Sequence, residues 1–178
     1  MPTEKLSFKG HNGDMLAARL DLPAGPVQAT AVFAHCFTCS KDITAAKRIA
    51  SYLAAMNIAV LRFDFTGLGH SEGEFENTHF TSNVEDLKLA AEHLATIHPA
   101  PSLLVGHSLG GAAVLKAAGD IPSVKAVATI GAPFDPEHVV HNFGGSVDQI
   151  RAKGKAQVNL AGRPFTCLLY TSPSPRDA

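Results

Sequence analysis

Leu103-Leu104-Val105-Gly106-His107-Ser108-Leu109-Gly110-Gly111-Ala112-Ala113 is the stretch that decides how this chain is read. A short apolar run ends at Gly106, an alanine-rich helical pattern opens at Leu109, and one serine lies between them. Gly106 and Gly110 flank Ser108 at the G-x-S-x-G spacing of a nucleophile elbow. The spacing has a physical cause. A serine at the apex of a strand-to-helix turn takes a strained backbone conformation, and its neighbours must lack side chains because strand and helix pass close together. The turn pushes the Ser108 hydroxyl clear of the sheet and aims the first amides of the new helix, at the positive end of its dipole, at one point suited to an oxyanion. The plain alternative is a Gly-rich turn carrying a surface serine. Strand before, helix after and Gly111 extending the motif favour the nucleophile.

On either side the chain alternates strand and helix patterns. Lys5 to Phe8 and Met15 to Leu22 are strand-like and joined through Gly10-His11-Asn12-Gly13, where Asn-Gly signals a hairpin. Thr30 to Ala34 is a continuous apolar run, as expected of a strand buried on both faces, and Ile58 to Phe63 reads as another buried strand. Ile43 to Met56 carries Ile43, Ala46, Ala50 and Leu53 at helical spacing. Ser82-Asn-Val-Glu85 reads as a capping box opening a helix with Val84, Leu87, Ala91 and Leu94 on one face. Ser102 to Val105 is the strand into the elbow, Leu109 to Ala118 the helix out of it, and Val124 to Ile130 a further strand. Glu137 to Thr166 suggests a short helix or two and a polar strand, the start of a cap rather than more of the sheet. The pattern predicts an α/β fold: a mostly parallel sheet with helices on both faces. Ligands on such sheets bind beyond the carboxyl ends of the strands, where every unusual loop of this sequence falls.

Composition sets the outer limits. With 178 residues, 46% of them hydrophobic, the chain can bury one core. A formal net charge of -1 provides no basic field for nucleic acid. Met1 to Lys5 has no apolar signal core and no run reaches membrane-spanning length, so the expectation is a cytoplasmic protein without a membrane or nucleic-acid partner. Three cysteines make no disulfide framework. Composition changes abruptly at Cys167-Leu-Leu-Tyr-Thr-Ser-Pro-Ser-Pro-Arg-Asp177. That string resembles the in-frame translation of a transposase sequencing adapter, so residues 167–178 are read as a non-native tail and 1–166 as the domain. Cys36 and Cys39 are then the native cysteines.

The loops carry the candidate chemistry. Ser108 needs an oxyanion hole, a base and an acid to orient the base. One oxyanion donor is expected from the backbone N–H of Leu109, the residue after the nucleophile. The other is expected from the turn after an earlier strand, at the Phe37 amide. His35 is read as holding that turn by a hydrogen bond rather than moving protons. Cys36-x-x-Cys39 follows a strand and precedes a helix, which also fits a thioredoxin-like dithiol. That reading leaves the serine elbow unexplained. With His35 the pair would supply three zinc ligands, but no fourth is spaced nearby, so no metal and no cofactor are expected. Gly67-x-Gly69 lacks the spacing and the Lys-Ser/Thr of a phosphate loop. It reads as a tight turn anchored by Asp64.

Phe33-Ala-His35-Cys-Phe37, Asp64-x-x-Gly67-x-Gly69-x-Ser71 and Gly106-His-Ser108-Leu-Gly110-Gly111 together resemble the α/β-hydrolases in order and separation. The resemblance covers about residues 5–166 and is narrower to the serine aminopeptidase-like branch. The chain is similar to the hydrolase half of bacterial proteins that fuse such a domain to an OsmC-like domain. The resemblance implies an eight-stranded fold, a Ser–Asp–His triad and hydrolysis of a small acyl ester, thioester or amide. It implies Ser108 as nucleophile and the Phe37 and Leu109 amides as oxyanion donors. Two positions depart from the family pattern: Cys36 stands where glycine is usual, and Thr66 where arginine is frequent. The family order is Ser, acid, His. Asp135, after the next strand, is a conceivable acid, whereas His138 and His141 follow too soon and read as surface residues. The expectation is a chain lacking its last strands and its triad partners, nearly inactive, with an exposed sheet edge and a partly uncovered core.

Overall fold

A computed structural model of the chain describes residues 2–133, 152–160 and 163–168. Strands β1 (Thr3–Lys9) and β2 (Met15–Asp21) form the expected hairpin, closed where the Gly10 amide donates to the Asp14 carbonyl at 2.8 Å. There follow β3 (Ala29–Ala34), α1 (Thr44–Ala55), β4 (Ile58–Phe63), α2 (Phe80–Ile97), β5 (Leu103–His107), α3 (Leu109–Ala117) and β6 (Ala126–Ile130). These six strands make one sheet in the order β1-β2-β4-β3-β5-β6. β3 pairs parallel with both β4 and β5, β5 pairs parallel with β6, and only the β1–β2 end runs antiparallel. The carboxyl ends of β3, β4, β5 and β6 therefore share one edge.

The apolar runs read as doubly buried strands do cover two cores. Val32, Ala34, Leu61, Phe63 and Leu104 face one side, packed with α2 and α3. Ala31, Phe33, Val60 and Val105 face the other, against Ala46 and Ala50 of α1. Adjacent residues of a strand point to opposite faces, so a continuous apolar run is what a central strand between two helical layers requires. The alanines of α1 recur at Ala46, Ala50 and Ala54, one residue per turn and without bulk, and let the helix lie close on the sheet.

One helix start differs from the sequence expectation. α2 begins at Phe80, and Ser82 is its third residue rather than its cap. The cap is His79: its Nδ1 accepts from the Ser82 amide at 3.2 Å, while the Ser82 hydroxyl accepts from the His79 amide at 2.9 Å. The reciprocal box forms three residues upstream of the predicted one because Phe80 is itself buried and continues the apolar stripe to Val84 and Leu87. An imidazole is not among the usual capping side chains, so the pattern Ser-x-x-Glu drew the boundary too late.

Two further strands, β7 (Lys155–Leu160) and β8 (Arg163–Leu168), pair antiparallel in a separate sheet. Among the described residues, this agrees with the expectation that the strand within Glu137 to Thr166 is not more of the main sheet. β8 runs past Thr166 through Cys167, which pairs with Ala156. Phe165 joins this hairpin to the body of the fold by packing on Phe37 and Phe75, with ring centroids 5.2 and 5.9 Å apart. Of the eight strands that the family resemblance implies, the described residues place six in the main sheet. At its edge β6 leaves Ala126, Ala128, Thr129 and Ile130 exposed.

The junction of β5 and α3 is the tightest point of the sheet. A Cβ on Gly106 would lie 2.2 Å from the Gly110 carbonyl oxygen, and a Cβ on Gly110 would lie 2.2 Å from the Ala34 carbonyl oxygen. Both obstacles are backbone and cannot swing aside. Gly110→Ala is therefore expected to destabilise the chain by about 3 kcal/mol or more, read as a lower urea midpoint at unchanged slope.

Candidate active site

Ser108 caps α3 with φ 51° and ψ -113°, one of two non-glycine residues with positive φ among those described. An L-residue adopts that conformation only where its surroundings hold it. Here the Ser108 amide donates to the Ile130 carbonyl at 2.9 Å, and the Ser108 carbonyl accepts from Ala112 at 3.1 Å to start the helix. The strained elbow read from the sequence is present. Leu109 is the first residue of α3, so its amide is among those that have no acceptor within the helix.

The turn after β3 stands beside the elbow on the same sheet edge. Cys36 and Cys39 are joined by a disulfide across a turn that the Cys39 amide closes on the Cys36 carbonyl at 3.1 Å. Phe37 lies inside that turn and packs edge-on against Phe75, its ring centroid 4.6 Å away. His35 supports the turn from beneath and is fully buried. Its Nδ1 lies 2.6 Å from the Cys36 carbonyl oxygen, which can only accept, so this nitrogen carries the proton. Its Nε2 accepts from the Phe65 amide at 3.3 Å. The ring is thus a neutral strut between two loops, the role expected of it. Burial pushes its pKa below the ordinary value of 6.5, against the raising effects of the Cys36 carbonyl and Asp64.

Asp64, also fully buried, ties the loop after β4 to the loop after β3. It accepts from the Lys41 amide and from Lys41 Nζ, each at 2.6 Å, and from the His70 amide at 2.9 Å. A Cβ on Gly69 would lie 2.2 Å from Asp64 Oδ2, which is why this loop needs glycine there. Asp64 was legible as the anchor; its buried partner Lys41 was not. Thr66, at the position where arginine is frequent, donates through its amide and hydroxyl to Asp86 at 3.0 and 2.8 Å. Asp86 also holds His11, and so pins the glycine loop and the first hairpin to α2. The sequence reading missed Asp86, though an acid on the apolar face of a helix is a visible signal.

His107 was also missed. Its Nδ1 is buried and has no hydrogen-bond partner among the described residues. One of its ring nitrogens and the two sulfurs of Cys36 and Cys39 lie within 4.8 Å of one another. The sequence reading had weighed His35, and set it aside, as a third ligand beside the cysteines; its ring turns to the Cys36 carbonyl and the Phe65 amide. Asp135, His138 and His141 lie outside the described residues. No helix among the described residues is long and apolar enough to cross a membrane.

A mostly parallel sheet, a strained serine between strand and helix, and loops gathered at its carboxyl edge define an α/β-hydrolase fold. The sequence matches the serine aminopeptidase S33 family over residues 25–169, and the chain belongs to that family. It is 32% identical to human mitochondrial palmitoyl-protein thioesterase ABHD10 over 119 residues, which are 67% of this chain and 36% of that protein. It is 50% identical to the crystallised esterase domain of a Rhodothermus marinus protein, with a TM-score of 0.70 over 94% of this chain and 65% of that one. Mouse α/β-hydrolase domain-containing protein 10 shares the fold at 21% identity and a TM-score of 0.73, over 94% of this chain and 68% of that one. The chain thus spans 36% of the length of the human relative.

The neutral, buried His35 makes stability pH-dependent. Its folded pKa lies below that of the unfolded chain, so as pH falls through about 6.5 the unfolded state takes up a proton that the folded state refuses. Stability should fall between pH 7.5 and 5.5, by up to about 1.4 kcal/mol per pH unit from this group. Urea midpoints across that interval should drop less steeply in His35→Gln than in the wild type.

Proposed function

We propose that the chain is the nucleophile-bearing part of a serine acyl hydrolase acting on a small acyl ester or thioester. The observation that carries this reading is the conformation of Ser108, φ 51° and ψ -113°, at a strand-to-helix junction where Gly106 and Gly110 both meet backbone. Strain of this kind is what a nucleophile elbow maintains and a plain turn avoids. In the proposed reaction Ser108 Oγ bonds to the acyl carbon and the oxyanion takes hydrogen bonds from the Leu109 and Phe37 amides. Collapse breaks the bond to the alcohol or thiol, which leaves with the proton that the serine gave up; water then releases the acid. The preference for an ester or thioester over an amide follows the esterase domain and the palmitoyl-protein thioesterase to which the chain is similar.

The base and its orienting acid are proposed to lie beyond Ile130, with Asp135 the acid candidate within this chain and the histidine outside it. A fused OsmC-like domain is the proposed neighbour in the whole protein. Without the base, the oxyanion site alone sustains only residual turnover. Hydrolysis of p-nitrophenyl acetate by the 178-residue chain should therefore exceed the buffer rate only slightly. Ser108→Ala should remove that excess. Ordinary enzyme rates that vanish in Ser108→Ala would keep the nucleophile and overturn the missing base. A rate untouched by Ser108→Ala would overturn the nucleophile itself.

A further inference from the structure

Cys36 and Cys39 lie in the turn after β3 and His107 ends β5, yet their donor atoms converge within 4.8 Å. We propose that, with the cysteines reduced, these three residues bind one thiophilic divalent metal ion, zinc in the first instance, with the fourth position open. The inference is independent of the role of Ser108.

Four observations combine. First, the donors are of the right chemical type: two thiolates and an imidazole form one of the three-residue ligand sets that zinc takes when a fourth position is left to water or substrate. Second, the distances fit. With Zn–S near 2.3 Å and Zn–N near 2.0 Å, tetrahedral coordination places donors roughly 3.5–3.8 Å apart. Once the disulfide is reduced and its sulfurs separate, groups already within 4.8 Å stand near that spacing. Third, the Cys36–Cys39 turn is pre-formed by the Cys39 amide and by His35 beneath it, so the two sulfurs face each other at little further cost in chain entropy. The disulfide drawn between them is the oxidised alternative to the metal, since each sulfur can serve only one of the two. Fourth, His107 Nδ1 is buried with no partner among the described residues. An imidazole with an unsatisfied nitrogen beside two sulfurs is not held in place by hydrogen bonds at that nitrogen, and a metal ion would fix the ring.

The charges also balance. Binding displaces a proton from each thiol, and two thiolates cancel the charge of the ion, so the complex adds no net charge to a partly buried place. Cys36 is buried while Cys39 and His107 are half-exposed, which leaves a route for the ion and for its fourth ligand. His35 is excluded as the third ligand because both its ring nitrogens are already engaged.

The test uses the full chain with its third cysteine removed, Cys167→Ser, reduced under a phosphine and titrated with zinc against a chromophoric chelator. One zinc per chain is expected, with two protons released and both thiols protected from maleimide. Cobalt in place of zinc should give an intense thiolate charge-transfer band. Cys36→Ser and Cys39→Ser should each abolish tight binding. His107→Ala, and independently His107→Gln, should weaken it by at least about tenfold, since even outer-shell changes at metal sites cost that much. Far-ultraviolet circular dichroism and urea midpoints show that each variant is folded. Three results would overturn the proposal: a reduced, folded chain that binds no zinc; binding equally tight in both His107 variants; or thiols that only reform the disulfide whether or not zinc is present.

Discussion

The structure depends on one close approach. At Gly106 and Gly110, β5 hands the chain to α3 with carbonyls 2.2 Å from where side chains would begin. That approach sets where α3 lies on the sheet, and through it the core built from Leu104, Leu109, Ala113 and Val114. It also leaves Ser108 no relaxed conformation to adopt, and the backbone bonds to Ile130 and Ala112 hold it where it is. Packing and chemistry thus share a single cause. The same absence of side chains that lets the helix seat also fixes the turn that carries the hydroxyl, with the Leu109 amide free of a partner within the helix.

A second layer of constraint holds the other loops against this point. Two fully buried acids, Asp64 and Asp86, each gather donors from different segments. Asp64 binds the loop after β3 to the loop after β4, and Asp86 binds the loop after β4 to the first hairpin. Burying a carboxylate is costly unless charge and hydrogen bonds compensate it; Lys41 does so for Asp64, and an array of four donors does so for Asp86. Removing either acid would release the two segments it joins. His35 works in the same way without charge, its two nitrogens bridging the turns after β3 and β4. The aromatic contact of Phe37 with Phe75 and Phe165 closes this ring of supports from above.

What could be read in the sequence was whatever is written in local pattern. The apolar run at Thr30 to Ala34 was legible as a central strand, because burial on both faces is what tolerates such continuity. The elbow was legible because glycine spacing around Ser108 encodes a steric requirement. What escaped was set by tertiary placement. His79 caps α2 although imidazole is a rare cap, since buried Phe80 fixes the phase of the helix. Lys41 and Asp86 look like ordinary charges until folding buries them against partners 20 or more positions away. His107 reads as the filler of G-x-S-x-G, and only the pairing of β5 with β3 brings it to the cysteines.

The account stands on Ser108 being a reactive nucleophile rather than a strained turn residue. The most direct measurement is peptide mass mapping of the whole protein, with the proposed base present, after incubation with a fluorophosphonate. The account predicts a single adduct on Ser108, formed ahead of any on Ser71, Ser102 or Tyr52 and absent after urea denaturation. No adduct on Ser108, or modification spread evenly over those hydroxyls, would contradict it.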